Sequence, residues 1–521
     1  MARRAQPITL WPGVASAALV LALTFGTLGA VAWRAEGLSR LGPADWAAIR
    51  FTLMQALLSA AISIGLAIPL ARALARRQFP GRAALVTLLG APFILPVIVA
   101  VLGLLAVFGR SGLVSTALGW FGQEPIRIYG LHGVVLAHVF FNLPLATRLI
   151  LQGWLSIPAE RFRLAASLGF TPSDIQKRLE FPMLRATLPG TFLVIFLICT
   201  TSFAVALTLG GGPRATTVEL AIYQAFRFEF DLSKAAQLAL IQFAIGAIAA
   251  ALAFKLAIPS GIGAGLDRHR QLWGINTPSM RAQDAFVIIA AALFLIVPLL
   301  MVVLNGLPGL LNLPPQVIHA TMRSIAVALG SAALTLVLTL PLAILVNSLQ
   351  GRGGGVVEGI GYLSIAASPL VIGTGLFIVV FPFANPVSLA LPITALVNAL
   401  MALPFALRSI TPALTQIESD FGRLADGLGL IGWARLRILV LPRLRRPLGF
   451  AAGLAAALSM GDLGVIALFA DPEAATLPLQ LYRLMASYRM QDAAAAALLL
   501  LLCSLLLFWL FDKGGRLDAD A

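Results

Sequence analysis

The amino-acid sequence predicts an all-α polytopic membrane protein with about 12 transmembrane helices, built as two parallel six-helix repeats. Hydrophobic residues make up 59% of the 521 residues and charged residues only 11%, which leaves too little polar surface for a soluble globular protein. Apolar runs of about 20 residues, long enough to cross a bilayer as helices, recur along the whole chain. A polar segment also occurs twice, once in each half, at a spacing of 260 positions without a gap.

The apolar runs divide into six predicted spans in each half of the chain. In the first half they lie near residues 14–33, 50–71, 85–108, 131–151, 188–208 and 235–258. In the second half they lie near residues 285–304, 321–346, 357–381, 389–408, 447–469 and 491–511. The first run ends in Ala30-Val31-Ala32, which resembles a signal-peptide cleavage site, but its length of about 20 residues favours a retained helix.

Basic residues alternate between the segments that join these spans. Of the 37 lysines and arginines, 26 fall in the N-terminal segment and in every second segment after it. Lysine and arginine accumulate on the cytoplasmic side of a membrane, so we expect both termini and both polar segments to be cytoplasmic. The same distribution accounts for the net charge of +15, and we expect membrane lipid, not nucleic acid, as a partner.

The chain divides into a first repeat at residues 1–258, a linker at 259–284 and a second repeat at 285–521. The linker contains Pro259, Pro278 and several glycines, a composition typical of a flexible cytoplasmic connection. Because six spans return the chain to the side on which it started, the two repeats are parallel. We therefore expect a pseudo-twofold axis along the membrane normal, with a substrate path between the halves.

The two copies of the repeated polar segment share residues at matching positions, including the glycine and the prolines that mark helix ends. A short amphipathic helix is predicted to begin near Pro158 and to end at Gly169 in a positive-φ conformation. Thr171 and Asp174 then form the capping box of a second short helix, which is predicted to end near Pro182. The result is a compact helix-turn-helix outside the bilayer. The matched residues are Pro144, Arg148, Arg163, Leu164, Ala165, Leu168, Gly169 and Pro182 in the first copy and Pro404, Arg408, Arg423, Leu424, Ala425, Leu428, Gly429 and Pro442 in the second.

The spacing of Ala165-Ala166, Gly169 and Pro182 resembles the loop through which importer-type ABC permeases engage their ATPase subunits. The chain departs from the consensus, because Leu164 replaces the acidic residue before the two alanines and the second copy has Ala425-Asp426. The resemblance covers the whole chain as a fused permease, similar to type I ABC importer permeases of the bacterial inner membrane. It implies two copies of a cytoplasmic ABC ATPase subunit as partners.

We call residues 156–186 and 412–446 the first and second coupling loops. Transmission of ATPase movement as rigid-body motion requires stiff loops, which the caps and prolines provide. The sequence has no G-x-x-x-x-G-K-[ST] loop, so we expect partner subunits to hydrolyse ATP, and the chain itself to be no enzyme and to hold no cofactor. The residues that we expect to mediate coupling are Glu160, Arg163, Ala165, Gly169, Asp420, Arg423 and Gly429.

A second stretch of sequence narrows the range of possible substrates. The sequence Thr208-Leu209-Gly210-Gly211-Gly212-Pro213, together with residues 215–225, resembles the corresponding segment of the thiamine/thiamine pyrophosphate permeases of bacterial inner membranes. The resemblance implies import of thiamine or its phosphates, delivered by a periplasmic substrate-binding protein. Fused ferric-ion permeases have a similar layout, and ferric ion is the alternative substrate.

Five residues are candidates for the substrate path. Asp462 lies in the eleventh span, where a carboxylate is costly. It attracts a cationic thiazolium ring, holds a gate, pairs with an arginine near the outer end of the span or caps a helix. Tyr223 and Tyr482 occupy matching positions in the two halves, and each either stacks on an aromatic cation or anchors at the membrane interface. His138 and Asn142 lie one turn apart on the fourth span, where they either line the path or form hydrogen bonds between helices.

Two other classes of protein compete with the importer. An ion-coupled secondary transporter also has twelve spans in two halves, but it needs buried carboxylate or histidine relays, for which Asp462 is the only clear candidate in the sequence. A secondary transporter also has no ATPase partners that would require two coupling loops. A membrane enzyme is disfavoured because no nucleophile, base or metal constellation is present, and the four histidines lack metal-ligand spacing, so we expect no metal site.

Overall fold

The computed structural model describes residues 9–35, 41–90, 94–256, 277–349, 351–469 and 474–516, and every regular element in these ranges is a helix. Eleven of these helices are long and apolar enough to cross a membrane. A bent pair of helices makes a twelfth span if it is counted as one. The predicted fold class, an all-α polytopic membrane protein with about 12 spans, is therefore confirmed.

The helices follow the predicted spans, with extra short helices between them. In the first half they are Trp11–Leu21, a π-helical turn at Ala22–Gly26, Thr27–Arg34, Pro43–Arg76, Arg82–Leu88, Val97–Phe108, Leu113–Trp120, Leu131–Ser156, Ala159–Ser167, Pro172–Ile175, a π-helical turn at Gln176–Glu180, Phe181–Thr200, Phe203–Leu209, a 3-10 turn at Pro213–Ala215, Val218–Arg227 and Leu232–Leu256. In the second half they are Pro278–Gly306, a 3-10 turn at Leu307–Asn312, Pro315–Leu349, Gly351–Ala366, Pro369–Val380, Ala390–Gly427, Gly432–Arg435, a π-helical turn at Leu436–Val440, Leu441–Met460, Gly464–Phe469, Leu477–Ala486 and Met490–Arg516.

The first spanning helix of each half packs against the opposite half. Residues 11–34 contact three helices of the second half, and Pro278–Gly306 contacts two helices of the first. At one of these crossings a Cβ on Gly103 would lie 2.5 Å from the carbonyl oxygen of Pro298, so only glycine fits. Small residues allow this close approach between membrane helices. Each half therefore holds the first spanning helix of the other, and we call these two helices the exchanged helices. They join the halves in addition to the contact at the centre of the molecule.

Both coupling loops lie on one face of the helical bundle. The helix Pro278–Gly306 begins beside the first coupling loop, where Asp284 pairs with Arg77 at 2.6 Å. Its far end packs against the beginning of the helix Met490–Arg516. The end of that last helix returns to the backbone of Arg445, at the base of the second coupling loop. The two coupling loops therefore form two equivalent surfaces on the same face of the protein.

The third and ninth predicted spans are broken instead of continuous. In the third, the helices Arg82–Leu88 and Val97–Phe108 are separate. In the ninth, the chain bends by 86° before the helix Pro369–Val380. Proline stands at the start of the second helix in both cases, and Pro96 and Pro369 disfavour helical geometry in the residue before them and donate no backbone hydrogen bond.

The fifth and eleventh spans are also interrupted, at matching positions. The breaks fall at Thr201-Ser202 and at residues 461–463, and the short helices Phe203–Leu209 and Gly464–Phe469 follow them. Irregular backbone at membrane depth is tolerated only where protein buries it or where it lines a cavity. These two interruptions, which meet where the halves touch, therefore mark the centre of the molecule.

One boundary predicted from the sequence is wrong. The second helix of the first coupling loop does not end near Pro182; it passes through the π-helical turn Gln176–Glu180 into Phe181–Thr200. Pro182 is accommodated because it lies at the second position of that helix, directly after the wide π turn. Most of the predicted linker at 259–284 lies outside the described residues, and its described end is already helical from Pro278.

The close crossing at Gly103 gives a first prediction. Gly103→Val places new atoms against the backbone of Pro298, and overpacking of this kind costs about 1–3 kcal/mol. We expect the thermal unfolding midpoint of the detergent-purified protein to fall by a few degrees. The matched control is Gly65→Val, because an added Cβ at Gly65 meets nothing within 4 Å. Equal midpoints for the two variants would contradict the exchanged-helix packing.

Candidate functional site

The first coupling loop contains the turn that the sequence predicts. Its helix Ala159–Ser167 directs Ala165 toward the protein, where it is buried. Gly169 then has a φ of +69°, and Gly429 in the second loop has +67°, a conformation that glycine adopts without steric cost. The backbone N–H of Phe170 donates to the carbonyl of Ala165 at 3.0 Å, which closes the helix in a Schellman arrangement.

A capping box opens the next helix, as predicted. The hydroxyl oxygen of Thr171 accepts a hydrogen bond from the backbone N–H of Asp174 at 3.3 Å. In return the Asp174 carboxylate accepts one from the backbone N–H of Thr171 at 3.0 Å. Because this helix continues into Phe181–Thr200, a single rod connects the surface of the loop with the centre of the membrane body.

A buried carboxylate anchors the first coupling loop to its own bundle. Glu180 is almost inaccessible and lies 2.8 Å from Arg72 and 3.3 Å from Arg76. Both arginines belong to the end of the helix Pro43–Arg76. A buried carboxylate with two cationic partners is costly to separate from them, so the loop and this helix are expected to move as one body.

The second coupling loop is held by a different ion pair. Its first helix is the end of a 38-residue helix, Ala390–Gly427. Arg435, whose side chain is 3% exposed, crosses back to this helix and pairs with Glu418 at 2.5 Å and with Asp426 at 2.6 Å. Ile175 occupies the position of Arg435 in the first loop. The two loops therefore share a shape while their internal contacts differ.

Four leucines on the coupling loops face outward. Leu164 and Leu168 are 59% and 62% exposed, and Leu424 and Leu428, at the same positions in the second loop, are 62% and 66% exposed. A repeated apolar surface with a polar surround is typical of a site of protein–protein contact. The sequence interpretation recognised these leucines as repeated residues but did not assign them a contact role, because their outward direction depends on which face of the helix packs inward.

The residues predicted to mediate coupling lie in different surroundings. Glu160 and Arg163 are exposed and pair with each other at 3.0 Å. Asp420 and Arg423 are exposed on the second loop. Ala165 is buried against the protein, so its position suits support of the loop and not direct contact with a partner.

Two central segments, residues 201–227 and the described residues 461–469 and 474–486, face each other between the halves. Each contains a break followed by two short helices. In each segment the first backbone N–H of the second short helix is satisfied by a hydroxyl from a long helix of its own half. The corresponding bonds run from Val218 N–H to Thr52 Oγ1 and from Leu477 N–H to Ser324 Oγ, both at 2.8 Å.

The two tyrosines predicted for the substrate path lie on these central segments. Tyr223 and Tyr482 are both half-buried, and they lie close enough to interact electrostatically. Tyr223 also contacts Phe203 edge to face, with ring centroids 5.3 Å apart. The structure thus brings one tyrosine from each half to the central contact.

Asp462 caps a short helix. One carboxylate oxygen accepts a hydrogen bond from the backbone N–H of Gly464 at 3.2 Å, at the start of Gly464–Phe469, and the Asn398 side chain lies nearby. The other oxygen is buried and has no hydrogen bond within the described part of the chain. Capping is one of the roles considered for this residue, and the backbone N–H groups of Val465 and Ile466 also lie near the carboxylate.

His138 and Asn142 lie inside the first bundle. Both are nearly fully buried, with His138 Nδ1 3.3 Å from the Ser59 hydroxyl. The amide of Asn142 donates to the His138 carbonyl at 2.9 Å and to the Cys199 sulfur at 3.2 Å. These contacts join three long helices, which is the interhelical role considered in the sequence interpretation.

Sequence reasoning missed a buried carboxylate. Asp462 is not the only acidic candidate at depth, because Glu219 has an exposed fraction of 0%. Its signal in the sequence is weak, since an acidic residue two positions after Thr217 also fits the first turn of an ordinary surface helix. Only the packing of the central segments shows that this first turn is enclosed.

A duplicated membrane body with one coupling loop per half, both on one face, is the architecture of a fused ABC importer permease. No family model matches the chain, but it is 40% identical over 542 residues to the thiamine transport system permease protein ThiP of Escherichia coli K12, covering 98% of both chains. The proteins of the same name from Brucella abortus and Haemophilus influenzae are 38% and 36% identical, over 91% and 86% of this chain and 89% and 84% of the relatives. The chain belongs to the thiamine transport system permease family.

Family membership confirms the resemblance predicted from the sequence. The relatives are transport permease subunits, and together with the spanning helices they make this chain a multi-pass inner membrane protein. An ABC permease works with ATPase and binding-protein partners as a class. Neither the ferric-ion alternative nor the secondary transporter is favoured by these relatives.

The ion pairs of the second coupling loop give a second prediction. Arg435→Met leaves Glu418 without its buried partner, and loss of a hydrogen-bonded charge costs about 1–3 kcal/mol. We expect amide hydrogen exchange across residues 418–440 to accelerate about ten-fold. Arg437→Met, on the exposed side of the same turn, is the control and should leave exchange unchanged. Equal protection in both variants would show that Arg435 does not hold the loop.

Proposed function

We propose that the protein is the membrane-spanning subunit of an ABC importer that carries thiamine or its phosphates inward across the inner membrane. Two copies of a cytoplasmic ATPase subunit drive it, and a periplasmic binding protein supplies the substrate. The observation that carries this proposal is the matched pair of exposed leucine surfaces on equivalent loops of one face. The names of the relatives support thiamine as the substrate.

The proposed orientation places both coupling loops and both termini in the cytoplasm. The concentration of basic residues on the side of the loops supports it. The proposed units are a first repeat at residues 1–258 and a second at 285–521, joined through 259–284. Each repeat carries one coupling loop, so one ATPase subunit docks on each half.

The proposed mechanism starts with closure of the two ATPase subunits on ATP. Each subunit holds one coupling loop by the exposed leucines and by the charged residues around them. Glu180 fixes the first loop to the helix Pro43–Arg76, and Arg435 fixes the two helices of the second loop to each other. The loops then move as stiff bodies with the ATPases.

Movement next reaches the central segments. The helices Phe181–Thr200 and Leu441–Met460 run from the coupling loops to the breaks between the halves. A tilt of these rods separates or closes the contact around Tyr223, Tyr482 and Asp462, which we assign to the substrate path. His138 and Asn142 are assigned instead to keeping the first bundle rigid during this movement.

Reconstitution tests the proposed function directly. The chain is placed in proteoliposomes with an ABC ATPase and a thiamine-binding periplasmic protein from the same organism, and uptake of labelled thiamine and ATP hydrolysis are measured. We expect thiamine-loaded binding protein to stimulate hydrolysis and to support ATP-dependent uptake, whereas ferric ion does neither. Uptake driven by a proton gradient without any ATPase would refute the proposal.

The leucine surfaces are tested by a double substitution. Leu168→Asp with Leu428→Asp places a charge in each proposed contact. Burial of one leucine contributes about 1.5–3 kcal/mol, so each docking site should weaken at least about ten-fold, measured as ATPase binding to the nanodisc-embedded protein. Leu311→Asp, at a 94% exposed position beyond the far end of Pro278–Gly306, is the control. Unchanged ATPase binding by the double variant would show that the leucines are not the docking surface.

A further inference from the structure

Glu219 is an enclosed carboxylate without a cationic partner within the described residues. It lies in the first turn of the helix Val218–Arg227, is 0% exposed, and neither carboxylate oxygen forms a hydrogen bond of good geometry with a described residue. The hydroxyl of Ser368 lies beside it. The favourable helix dipole at a first turn is a smaller effect than the desolvation of a buried ionised carboxylate. In its ionised form this carboxylate would therefore be stabilised by a cation bound beside it.

Glu219 lies at the contact between the two halves. Ser368 belongs to the second half and caps the helix Pro369–Val380. On the same helix as Glu219, the ring of Phe226 packs edge to face on Phe377 of the second half, with centroids 4.5 Å apart. Any movement that separates the halves at this contact therefore exposes the Glu219 carboxylate to the space that opens.

An aromatic surface connects Glu219 to Asp462. Tyr223 lies one turn after Glu219 on the same helix and packs against Phe203 at 5.3 Å. The ring of Phe203 in turn lies against Gly464, whose N–H is bonded to Asp462. Two acidic groups thus flank a pair of aromatic rings. Among the described residues, both oxygens of Glu219 and one oxygen of Asp462 lack a hydrogen bond of good geometry.

Both acidic groups break the internal symmetry of the chain. The position equivalent to Asp462 in the first half is Ser202, and the position equivalent to Glu219 in the second half is Pro478. A role in the shared scaffold would be expected in both halves, as for the threonine that precedes each helix, Thr217 and Thr476. One carboxylate from each half instead suits a single ligand held at the axis.

We propose that Glu219 and Asp462 together bind the cationic ring of the substrate between the two halves, with Phe203 and Tyr223 as its aromatic walls. This inference rests on the proposed import of thiamine, whose thiazolium ring is planar, aromatic and positively charged. An aromatic face and a carboxylate both attract such a ring. The ligand class is therefore an aromatic cation, and an uncharged ring of the same shape is bound without this attraction.

The test compares a charged and an uncharged substrate in the complete reconstituted transporter. The probes are thiamine and its analogue with a neutral thiophene ring in place of thiazolium. We expect Glu219→Gln to lower kcat/KM for thiamine uptake by about ten- to a hundred-fold, the effect of a lost charged partner, and to change uptake of the neutral analogue by less than about three-fold. Glu219→Asp, which keeps the charge, should recover most of the thiamine uptake.

Two further variants separate this role from a structural one. Glu229→Gln removes an exposed carboxylate that pairs with Lys234 and should leave both substrates unaffected. Asp462→Asn removes the charge but keeps an oxygen that accepts the Gly464 N–H. If Glu219→Gln fails to assemble, this variant tests instead whether a lost charge lowers uptake of thiamine more than uptake of the neutral analogue. Equal losses for the two substrates, or unchanged thiamine uptake, would overturn the inference and leave the proposed function intact. Absence of thiamine uptake by the unmodified protein would overturn both.

Discussion

The central constraint is that each coupling loop must be fixed firmly to the helices of its own half. This attachment must be stronger than the contact between the loop and the ATPase subunit that moves it. A loop that yields absorbs movement, whereas a loop that is held transmits it. In the first half, buried Glu180 joins the loop to Arg72 and Arg76. In the second, Arg435 joins the two helices of the loop through Glu418 and Asp426. Each case uses a charge whose separation from its partners inside the protein is costly.

The second constraint concerns the bilayer. A helix that breaks within the membrane leaves backbone groups unsatisfied unless protein surrounds them. The breaks at residues 201–202 and 461–463 are therefore confined to the contact between the halves. Further along each segment, the hydroxyl groups of Thr52 and Ser324 accept the first backbone N–H of the helices Val218–Arg227 and Leu477–Ala486. The proposed substrate path lies at the place where the fold already has to supply polar partners.

Local features of this fold were predictable from sequence, and tertiary ones were not. The number of spans follows from apolar runs, and the turn at Gly169 and the cap at Thr171 depend on residues within one turn of each other. The continuation of the helix past Pro182 depends on a π-helical turn that no residue pattern announces. The exchanged first helices and the enclosure of Glu219 arise from contacts between distant segments, so hydrophobic periodicity carries no information about them.

The most direct test of the account is the distance between the two coupling loops during the ATPase cycle. Spin labels at Ser167→Cys and Gly427→Cys, equivalent exposed positions on the two loops, report this distance by double electron–electron resonance in the reconstituted complex. The account predicts that the distance shortens when ATP is bound without hydrolysis and lengthens again after hydrolysis. A distance that stays constant while thiamine is imported would contradict the claim that the loops carry the movement of the ATPases into the membrane.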